Sequence, residues 1–341
     1  MIELLPYCFY AVLGISALLY VMLDGFDLGV GILHLLARTD QDRRIVLNSI
    51  GPVWDGNEVW LVIIIGGLFA GFPEVYATVF SAFYNIFTLL MAALIFRAVA
   101  IEMRSKRPMI WWRRWWDGVF FVGSVSIAFI IGLVVGNLIQ GIPLNAAHDY
   151  MGTLGDFFNA YSILIGCLVV ALFAVHGCIY LILKTEGDLQ QQMRHWVVPT
   201  VLLFLGLFIL STAVTLVYQP HMVARFIEEP VLFVVIALGL CSLAGLYQFI
   251  KARQELQAFC CSAAAMAFFV MLFGIGTFPH LVRSSIEPVS HSLEIVNSAS
   301  STLTLTVLMI IVLIGVPLVL AYMAWIHRIF AGKVHLDESS Y

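Results

Sequence analysis

Long apolar segments separated by short polar connections make up almost the whole chain. Because a bilayer core needs about 20 apolar residues per helix, we predict nine membrane-spanning helices. They cover residues 7–36, 54–72, 75–101, 115–141, 158–184, 196–218, 230–250, 256–278 and 302–330. No soluble domain, low-complexity segment or internal repeat interrupts this series. We therefore expect residues 1–341 to form a single polytopic membrane domain.

The composition agrees with a membrane protein. Hydrophobic residues make up 62% of the chain and charged residues 11%, with a mean hydropathy of +0.99, whereas soluble domains carry roughly 25% charged residues. No short apolar segment with a small-residue cleavage site precedes the first long one, so residues 7–36 are interpreted as a retained span. The six cysteines lie in or near apolar segments without disulfide or zinc spacing, which favours packing roles.

The distribution of basic residues predicts the orientation in the membrane. Fifteen of the 17 lysines and arginines lie after odd-numbered spans or near the C-terminus, and only Arg225 and Arg283 lie on the other side. Cytoplasmic connections carry the excess of basic residues, so we expect the N-terminus outside and the C-terminus in the cytoplasm. Residues 111–116 alternate tryptophans with arginines, which is typical of an interfacial anchor on the cytoplasmic side.

Acidic side chains interrupt the first spans. Asp24 and Asp27 in the first span are three residues apart, as are Asp55 and Glu58 at the start of the second, so each pair shares one helix face. Together with Glu102 at the end of the third span, these acids project to the cytoplasmic half of the first three helices. Such a cluster is what a proton half-channel from the cytoplasm needs. The alternatives are packing, with each acid paired to an arginine or a backbone group, and, for Asp55, a helix N-cap.

The remaining spans contain few polar side chains. His176 is the only histidine near the centre of a span, and a lone histidine is more often a packing residue than a haem ligand. Asn137 and Gln140 are expected to link helices by hydrogen bonds, and Gly25 and Gly29 have a spacing that lets another helix approach closely. The sequence contains no phosphate-binding loop, dinucleotide fingerprint or Cys-x-x-Cys motif. We therefore expect no cofactor or metal on this chain alone, and no nucleic-acid partner.

Several sequence blocks follow one another in an order that characterises a known family. They are LDGFDLGVG at 23–31, GPVWDGNEVWL at 51–61, FPEVYA at 72–77, Phe96-Arg97 with Glu102 and Arg104, GNLIQG at 136–141, and SSTLT at 300–304. These blocks resemble subunit II of cytochrome bd-type quinol oxidases, including the cyanide-insensitive variant. The resemblance spans nearly the whole chain and is least diagnostic from about 145 to 280.

The resemblance implies an all-α integral membrane fold of about nine helices, arranged as two four-helix bundles plus one extra helix. It also implies a partner, a subunit I that carries two b-type haems, one d-type or b-type haem, and the quinol site. The complex would oxidise quinol at the outer face of the bacterial inner membrane. It would reduce oxygen to water with cytoplasmic protons, without pumping. Subunit II holds no haem in that family; a structural quinone and a small single-span accessory subunit are compatible with the pattern.

The resemblance also assigns roles to individual residues. Asp55 matches the acid at the entrance of a cytoplasmic proton path, and Glu102 matches a later position, where some members have aspartate. Trp60 matches a tryptophan near the mouth of an oxygen route into the partner, with packing or anchoring as an equal alternative. The predicted proton path comprises Asp55, Glu102, Glu58, Asp24 and Asp27.

Two other functions stay open at the level of sequence. A proton-coupled secondary transporter would also use buried acids and glycine-interrupted helices. However, transporters commonly show an internal repeat around a midplane site, and here the acids lie toward one face without an evident repeat. A purely structural assembly subunit would use the same acids only for hydrogen bonds between helices. Mutants of the acids distinguish this last alternative from a proton path.

Overall fold

The computed structural model describes residues 4–336 and is almost entirely helical, as predicted. The helices are α1 Leu5–Leu33, α2 Asp40–Ile50, α3 Trp54–Gly71, α4 Pro73–Ala82, α5 Tyr84–Met103, α6 Ile110–Gln140, α7 Ala160–Lys184, α8 Gly187–Tyr218, α9 His221–Glu228, α10 Phe233–Lys251, α11 Glu255–Thr277 and α12 Thr302–Ile329. Two short strands, β1 His280–Val282 and β2 Leu293–Glu294, pair antiparallel before α12. We call the end of the bundle where α1 finishes the basic end, and the end where α1 begins the N-terminal end.

Within residues 4–336, eight helices are long and apolar enough to cross a membrane, and a ninth span arises if one bent pair is counted. The bent pair is α2 with α3, which meet at 47°. Asp55, Asn57 and Glu58 occupy the first turns of α3, so its apolar part is short. The expected count of nine is confirmed in this form, while the arrangement into two four-helix bundles stays a prediction.

The predicted third span, 75–101, is divided in the structure. Phe83 separates α4 from α5, so the long membrane-spanning helix begins at Tyr84. At the N-terminal end, the Thr78 hydroxyl in α4 donates to the backbone oxygen of His148, and His148 Nδ1 lies 2.6 Å from Glu74 Oε1. The apolar pattern runs through both helices, and therefore the sequence alone did not reveal the break.

Glycine contacts hold α1 against α7 at the centre of the molecule. A Cβ placed on Gly29 would lie 2.0 Å from the Phe173 oxygen and 2.8 Å from the Gly177 Cα, so the two backbones approach where side chains are absent. The close approach predicted from the glycine spacing is confirmed at this position. Gly132 on α6 repeats the arrangement, since its Cβ would lie 2.7 Å from the Gly166 Cα on α7.

The helix α12 is the opposite case. Leu305 and Met323 are its only buried residues among those described. Its main packing contacts within residues 4–336 are with α1 and α3. The segment after it returns to the bundle, where Lys333 Nζ donates to Glu255 Oε2 at 2.9 Å and the Val334 amide donates to the Lys184 oxygen at 2.9 Å. A long apolar face of α12 is consequently left without contacts among residues 4–336.

Of the two polar side chains near the end of α6, one forms hydrogen bonds to a neighbouring helix and the other does not. Asn137 donates to the Leu133 and Phe157 backbone oxygens and accepts from Asn159 Nδ2 at 3.1 Å, so it links α6 to the start of α7 as expected. For Gln140 the expectation is wrong, because its side chain makes no hydrogen bond within residues 4–336.

Candidate functional site

A buried arginine collects acidic side chains from two other helices. Arg97 on α5 is 1% exposed, and its Nη1 lies 3.4 Å from Asp24 Oδ1 on α1 and 3.7 Å from Glu58 Oε2 on α3. Beside them, Asn57 Nδ2 donates to Asp27 Oδ2 at 2.7 Å. We call Asp24, Asp27, Asn57, Glu58 and Arg97 the open cluster. Three of the five predicted proton-path acids therefore meet around one guanidinium.

The open cluster is incompletely hydrogen-bonded. All three side-chain nitrogens of Arg97 and both carboxyl oxygens of Asp24 are buried without a hydrogen-bond partner among residues 4–336. Its ion-pair distances exceed the 2.7–2.9 Å typical of a charge-assisted hydrogen bond. With three carboxyl groups facing one guanidinium, full ionisation would bury excess negative charge at a cost of several kcal/mol. Burial of this cluster therefore favours a state in which at least one of its carboxyl groups is protonated.

The acids at the start of α3 lead from the surface toward the open cluster. Asp55 is exposed, while Glu58, one turn further on, has a side chain that is 21% exposed. The N-cap alternative for Asp55 is wrong, because the cap position is Val53 and no side chain caps this helix. Asp55 lies in the first turn, where a negative charge is favourable to the helix dipole.

Glu102 lies apart from the open cluster, in the last turn of α5 at the basic end. It is half-buried and interacts with neighbouring groups. Arg97 forms its ion pairs with α1 and α3. The structure therefore brings Asp24, Asp27 and Glu58 together and places Asp55 and Glu102 at the edge of this group.

A second buried ion cluster, which the sequence analysis missed, lies nearer the basic end. Asp117 on α6 lies 2.6 Å from His34 Nε2 and accepts from Arg43 Nη1 at 2.8 Å and from Arg104 Nε at 2.5 Å. Asp40 accepts from Arg104 and Arg113 at 2.8 and 2.7 Å. The closed cluster consists of His34, Asp40, Arg43, Arg104, Arg113 and Asp117. The available signal was an acid directly after the tryptophan- and arginine-rich segment, at the start of an apolar span.

Trp60 is fully buried, with an exposed fraction of 0%. Its Nε1 donates to Met323 Sδ on α12 at 3.1 Å, and Tyr20 on α1 completes the contact. Trp60 therefore packs between three helices, beside the open cluster. This position does not fit the interfacial anchor that was one of the alternatives.

His176 is a packing residue, as the sequence analysis favoured. Its Nδ1 lies 2.7 Å from Ser262 Oγ and its Nε2 lies 3.0 Å from the Met22 oxygen, while the ring stacks on Phe259 at 4.9 Å between centroids. Both ring nitrogens are thus engaged, so the side chain as placed does not fit an axial haem ligand. Residues 4–336 contain no group of three histidine, cysteine or acidic side chains suited to a metal ion.

Proteins of known sequence and structure resemble this chain over nearly its whole length. The chain is 33% identical over 370 residues to cytochrome bd-I ubiquinol oxidase subunit 2 of Escherichia coli (strain K12), covering 98% of this chain and 97% of that protein. It is also 33% identical to cytochrome bd ubiquinol oxidase subunit 2 of Bacillus subtilis (strain 168), over 94% of this chain and 95% of the relative. A chain in the structure of bd oxidase from Geobacillus thermodenitrificans has the same fold, with a TM-score of 0.80 at 18% identity, covering 96% and 98% of the two chains.

The family pattern described as "Cytochrome bd terminal oxidase subunit II" matches residues 5–330, which include every helix from α1 to α12. The two bacterial relatives share this description of a second oxidase subunit. This chain therefore belongs to the cytochrome bd terminal oxidase subunit II family, a multi-pass membrane component of a bacterial respiratory oxidase.

Proposed function

We propose that this chain is subunit II of a ubiquinol:oxygen oxidoreductase and that its open cluster carries protons from the cytoplasm toward a haem-bearing subunit I. The names of the Escherichia coli and Bacillus subtilis relatives support the substrate assignment, since both are subunits of ubiquinol oxidases. One observation carries the proton path. Arg97 is buried between carboxyl groups of α1 and α3, while Asp55 lies exposed at the start of α3, one turn before Glu58.

The proposed path begins at the basic end, which faces the cytoplasm in the predicted orientation. Asp55 takes up a proton from water, and Glu58 receives it one helical turn further into the bundle. From Glu58 the proton reaches Asp24 beside Arg97, and then Asp27, which the Asn57 amide holds by a hydrogen bond. Glu102 supplies a second relay group at the same end. Reduction of oxygen to water consumes the delivered protons.

Arg97 gives the path its electrostatic character. Its charge cannot be lost by deprotonation in a protein, so it stabilises whichever neighbouring carboxyl group has just given up a proton. The separations of 3.4 and 3.7 Å leave the acids free of a fixed bidentate pair. The proton can consequently pass between acids without breaking a strong ion pair.

The haem-bearing partner is proposed to pack on the free face of α12. That helix is attached to its own chain mainly through Met323, Leu305 and the returning segment around Lys333. The two b-type haems and the d-type or b-type haem are proposed to lie in subunit I. The hydrogen bonds at both ring nitrogens of His176 in this chain support that proposal. Trp60, packed against α12, is the proposed contact of an oxygen route with that partner.

The test replaces the acids at the entrance in the assembled oxidase. We expect Asp55→Asn and Glu102→Gln each to slow oxygen consumption by roughly tenfold or more, as is typical when a proton-transfer group is lost. The visible haem spectrum of the complex should stay unchanged. Glu186→Gln is the matched control, because Glu186 is exposed at the basic end and outside the proposed path.

Two outcomes would overturn the proton path. Normal turnover in both variants would leave the acids with a structural role only. Loss of the haem bands in both variants would also assign them to assembly. A proton-coupled transporter does not fit a chain that belongs to the oxidase family.

A further inference from the structure

The N-terminal end of the bundle holds an apolar groove that adjoins a polar pocket. The groove, of about 560 Å³, runs between α1 and α11 and includes Gly14, Ile15 and Met271 in its walls. The pocket, of about 470 Å³, lies between α9, the end of α11 and β1. Its polar wall consists of His221, Arg225, Glu228, His280, Arg283 and Glu294. Arg225 and Phe278 line both cavities, and therefore the two lie side by side.

The sequence places no lysine or arginine other than the two arginines of this pocket at the N-terminal end. The two differ in their ion pairs. Arg225 lies 3.8 Å from Glu228 and 3.6 Å from Glu229, and its guanidinium stands over the Phe278 ring at 5.1 Å. Its charge is therefore already compensated at the boundary between pocket and groove.

Arg283 has no comparable partner. It forms no ion pair within residues 4–336, and its Nη1 is buried without a hydrogen-bond partner. Burial lowers the pKa of this guanidinium from its usual value. Arg283 is half-buried, and a buried donor without an acceptor is costly. An anion bound at Arg283 would supply the acceptor that Nη1 lacks among residues 4–336.

The other titratable groups of the pocket are two histidines and two glutamates, and only the glutamates carry charge. Burial lowers the pKa of His221 and of His280, the charge of Arg283 lowers each further, and Glu294 opposes the shift at His280. Both histidines are therefore neutral at neutral pH. Glu228 and Glu294 keep side chains that are 64% and 44% exposed. The pocket thus combines one half-buried arginine, which has no ion pair among residues 4–336, with carboxylates nearer the surface.

We propose that the pocket and groove together bind one phospholipid whose headgroup carries a phosphate and a primary ammonium, as in phosphatidylethanolamine. A guanidinium matches phosphate through paired N–H donors, which places the phosphate at Arg283. An ammonium donates three hydrogen bonds, which Glu228 and Glu294 can accept. The groove takes an acyl chain, and its volume lies within the range of ligand sites.

The headgroup chemistry excludes the common alternatives. A choline headgroup has no N–H donor for the carboxylates, and a glycerol headgroup brings no positive charge to them. Choline would therefore leave the Glu294 carboxylate without a hydrogen bond from the headgroup, and glycerol would leave it beside a phosphate without a compensating charge. Glu228 keeps its contact with Arg225 in each case. The site should therefore discriminate between phospholipids by headgroup, which a purely apolar groove cannot do.

Two variants with matched controls test the two parts of the site. Gly14→Leu should fill the groove, because a Cβ at Gly14 meets nothing within 4 Å; its control is Gly206→Leu on α8, which is equally open and lies outside the groove. Arg283→Gln removes the unpaired cation. Its control is Arg253→Gln, an exposed residue at the basic end.

The measurement is the phospholipid retained per assembled oxidase after extensive detergent washing, counted by mass spectrometry of the extracted lipid. We expect one equivalent of phosphatidylethanolamine in the wild type and both controls, and its loss in Gly14→Leu and Arg283→Gln. Washing in mixed micelles with equal phosphatidylethanolamine, phosphatidylcholine and phosphatidylglycerol should enrich the first. Lipid retention is read without turnover, so this test is independent of the proton path.

Each contrary result overturns a defined part of the proposal. Equal retention in the wild type and both site variants would remove the lipid site. Loss in Gly14→Leu alone, or retention of all three phospholipids alike, would refute the headgroup assignment. A quinone recovered in place of the phospholipid would refute the ligand class.

Discussion

The open and closed clusters both bury charge among the same helices, but they hold it in different ways. In the closed cluster, Asp117 receives three cationic or histidine partners at 2.5–2.8 Å. In the open cluster, the nearest carboxyl oxygens lie 3.4 and 3.7 Å from Arg97, and none of its nitrogens has a hydrogen bond among the described residues. In the closed cluster both Asp117 oxygens have close partners, although Arg104 Nη1 and His34 Nδ1 lack one among residues 4–336. In the open cluster even the central ion pair between Arg97 and Asp24 lacks a hydrogen bond.

The sign of the excess charge explains what each cluster can do. The closed cluster has more arginines than acids, and an arginine cannot become neutral by losing a proton in a protein. Its only way to be stable is a fixed set of short hydrogen bonds. The open cluster has more acids than arginines, and a carboxyl group can be neutralised by binding a proton. The first composition suits a structural joint, and the second suits a proton relay.

The largest effect is expected from Asp117→Asn. The amide keeps the shape of the side chain but removes the acidic partner of Arg43 and His34 and leaves Arg104 with Asp40 alone. Losing one partner of a buried ion pair should cost about 3–5 kcal/mol of unfolding free energy. We expect the variant to fail to accumulate in membranes, as measured by immunoblot and by the unfolding midpoint of any purified complex. Asp188→Asn, at an exposed first-turn position, should cost under about 1 kcal/mol. Equal behaviour of the two variants would show that the closed cluster is not a structural joint.

A smaller effect on stability and a larger one on turnover are expected from Arg97→Gln. The acids left behind can bind protons, so the complex should assemble with a normal haem spectrum. Its oxygen consumption should fall by roughly tenfold or more, because the relay loses the charge that stabilises its ionised members. Arg38→Gln, at an exposed position of the basic end, should retain normal turnover. Loss of assembly to the extent seen for Asp117→Asn would erase the distinction between the clusters.

The smallest effect is expected at Trp60, which packs beside the open cluster. Trp60→Phe loses the N–H contact with Met323 and leaves a small cavity beside a fully buried ring, so the free energy of unfolding should fall by about 1–2 kcal/mol. If the proposed oxygen route passes this side chain, Trp60→Leu should change the apparent KM for oxygen a few-fold with an unchanged haem spectrum. If both variants keep the wild-type apparent KM for oxygen, Trp60 has a packing role alone.

Much of the candidate site could be predicted from the sequence because few charged residues occur in apolar spans. Asp24, Asp27 and Glu58 were singled out on that ground, and all three contribute to the open cluster. Asp117 was missed because it follows a segment whose tryptophans and arginines were sufficiently explained by the membrane interface. Its role depends on Arg43 and Arg104, which only folding brings beside it.

The sequence by itself determined the membrane class, the positions of the spans and the family, because these depend on local hydropathy and on ordered motifs. Tertiary structure decided which acids share Arg97, where the third span begins, and that Asp117 anchors a separate cluster. It also brought the two arginines of the N-terminal end to one pocket, where Arg225 has ion pairs and Arg283 has none among residues 4–336. Such properties depend on distances between helices remote in sequence, which the order of residues does not encode locally.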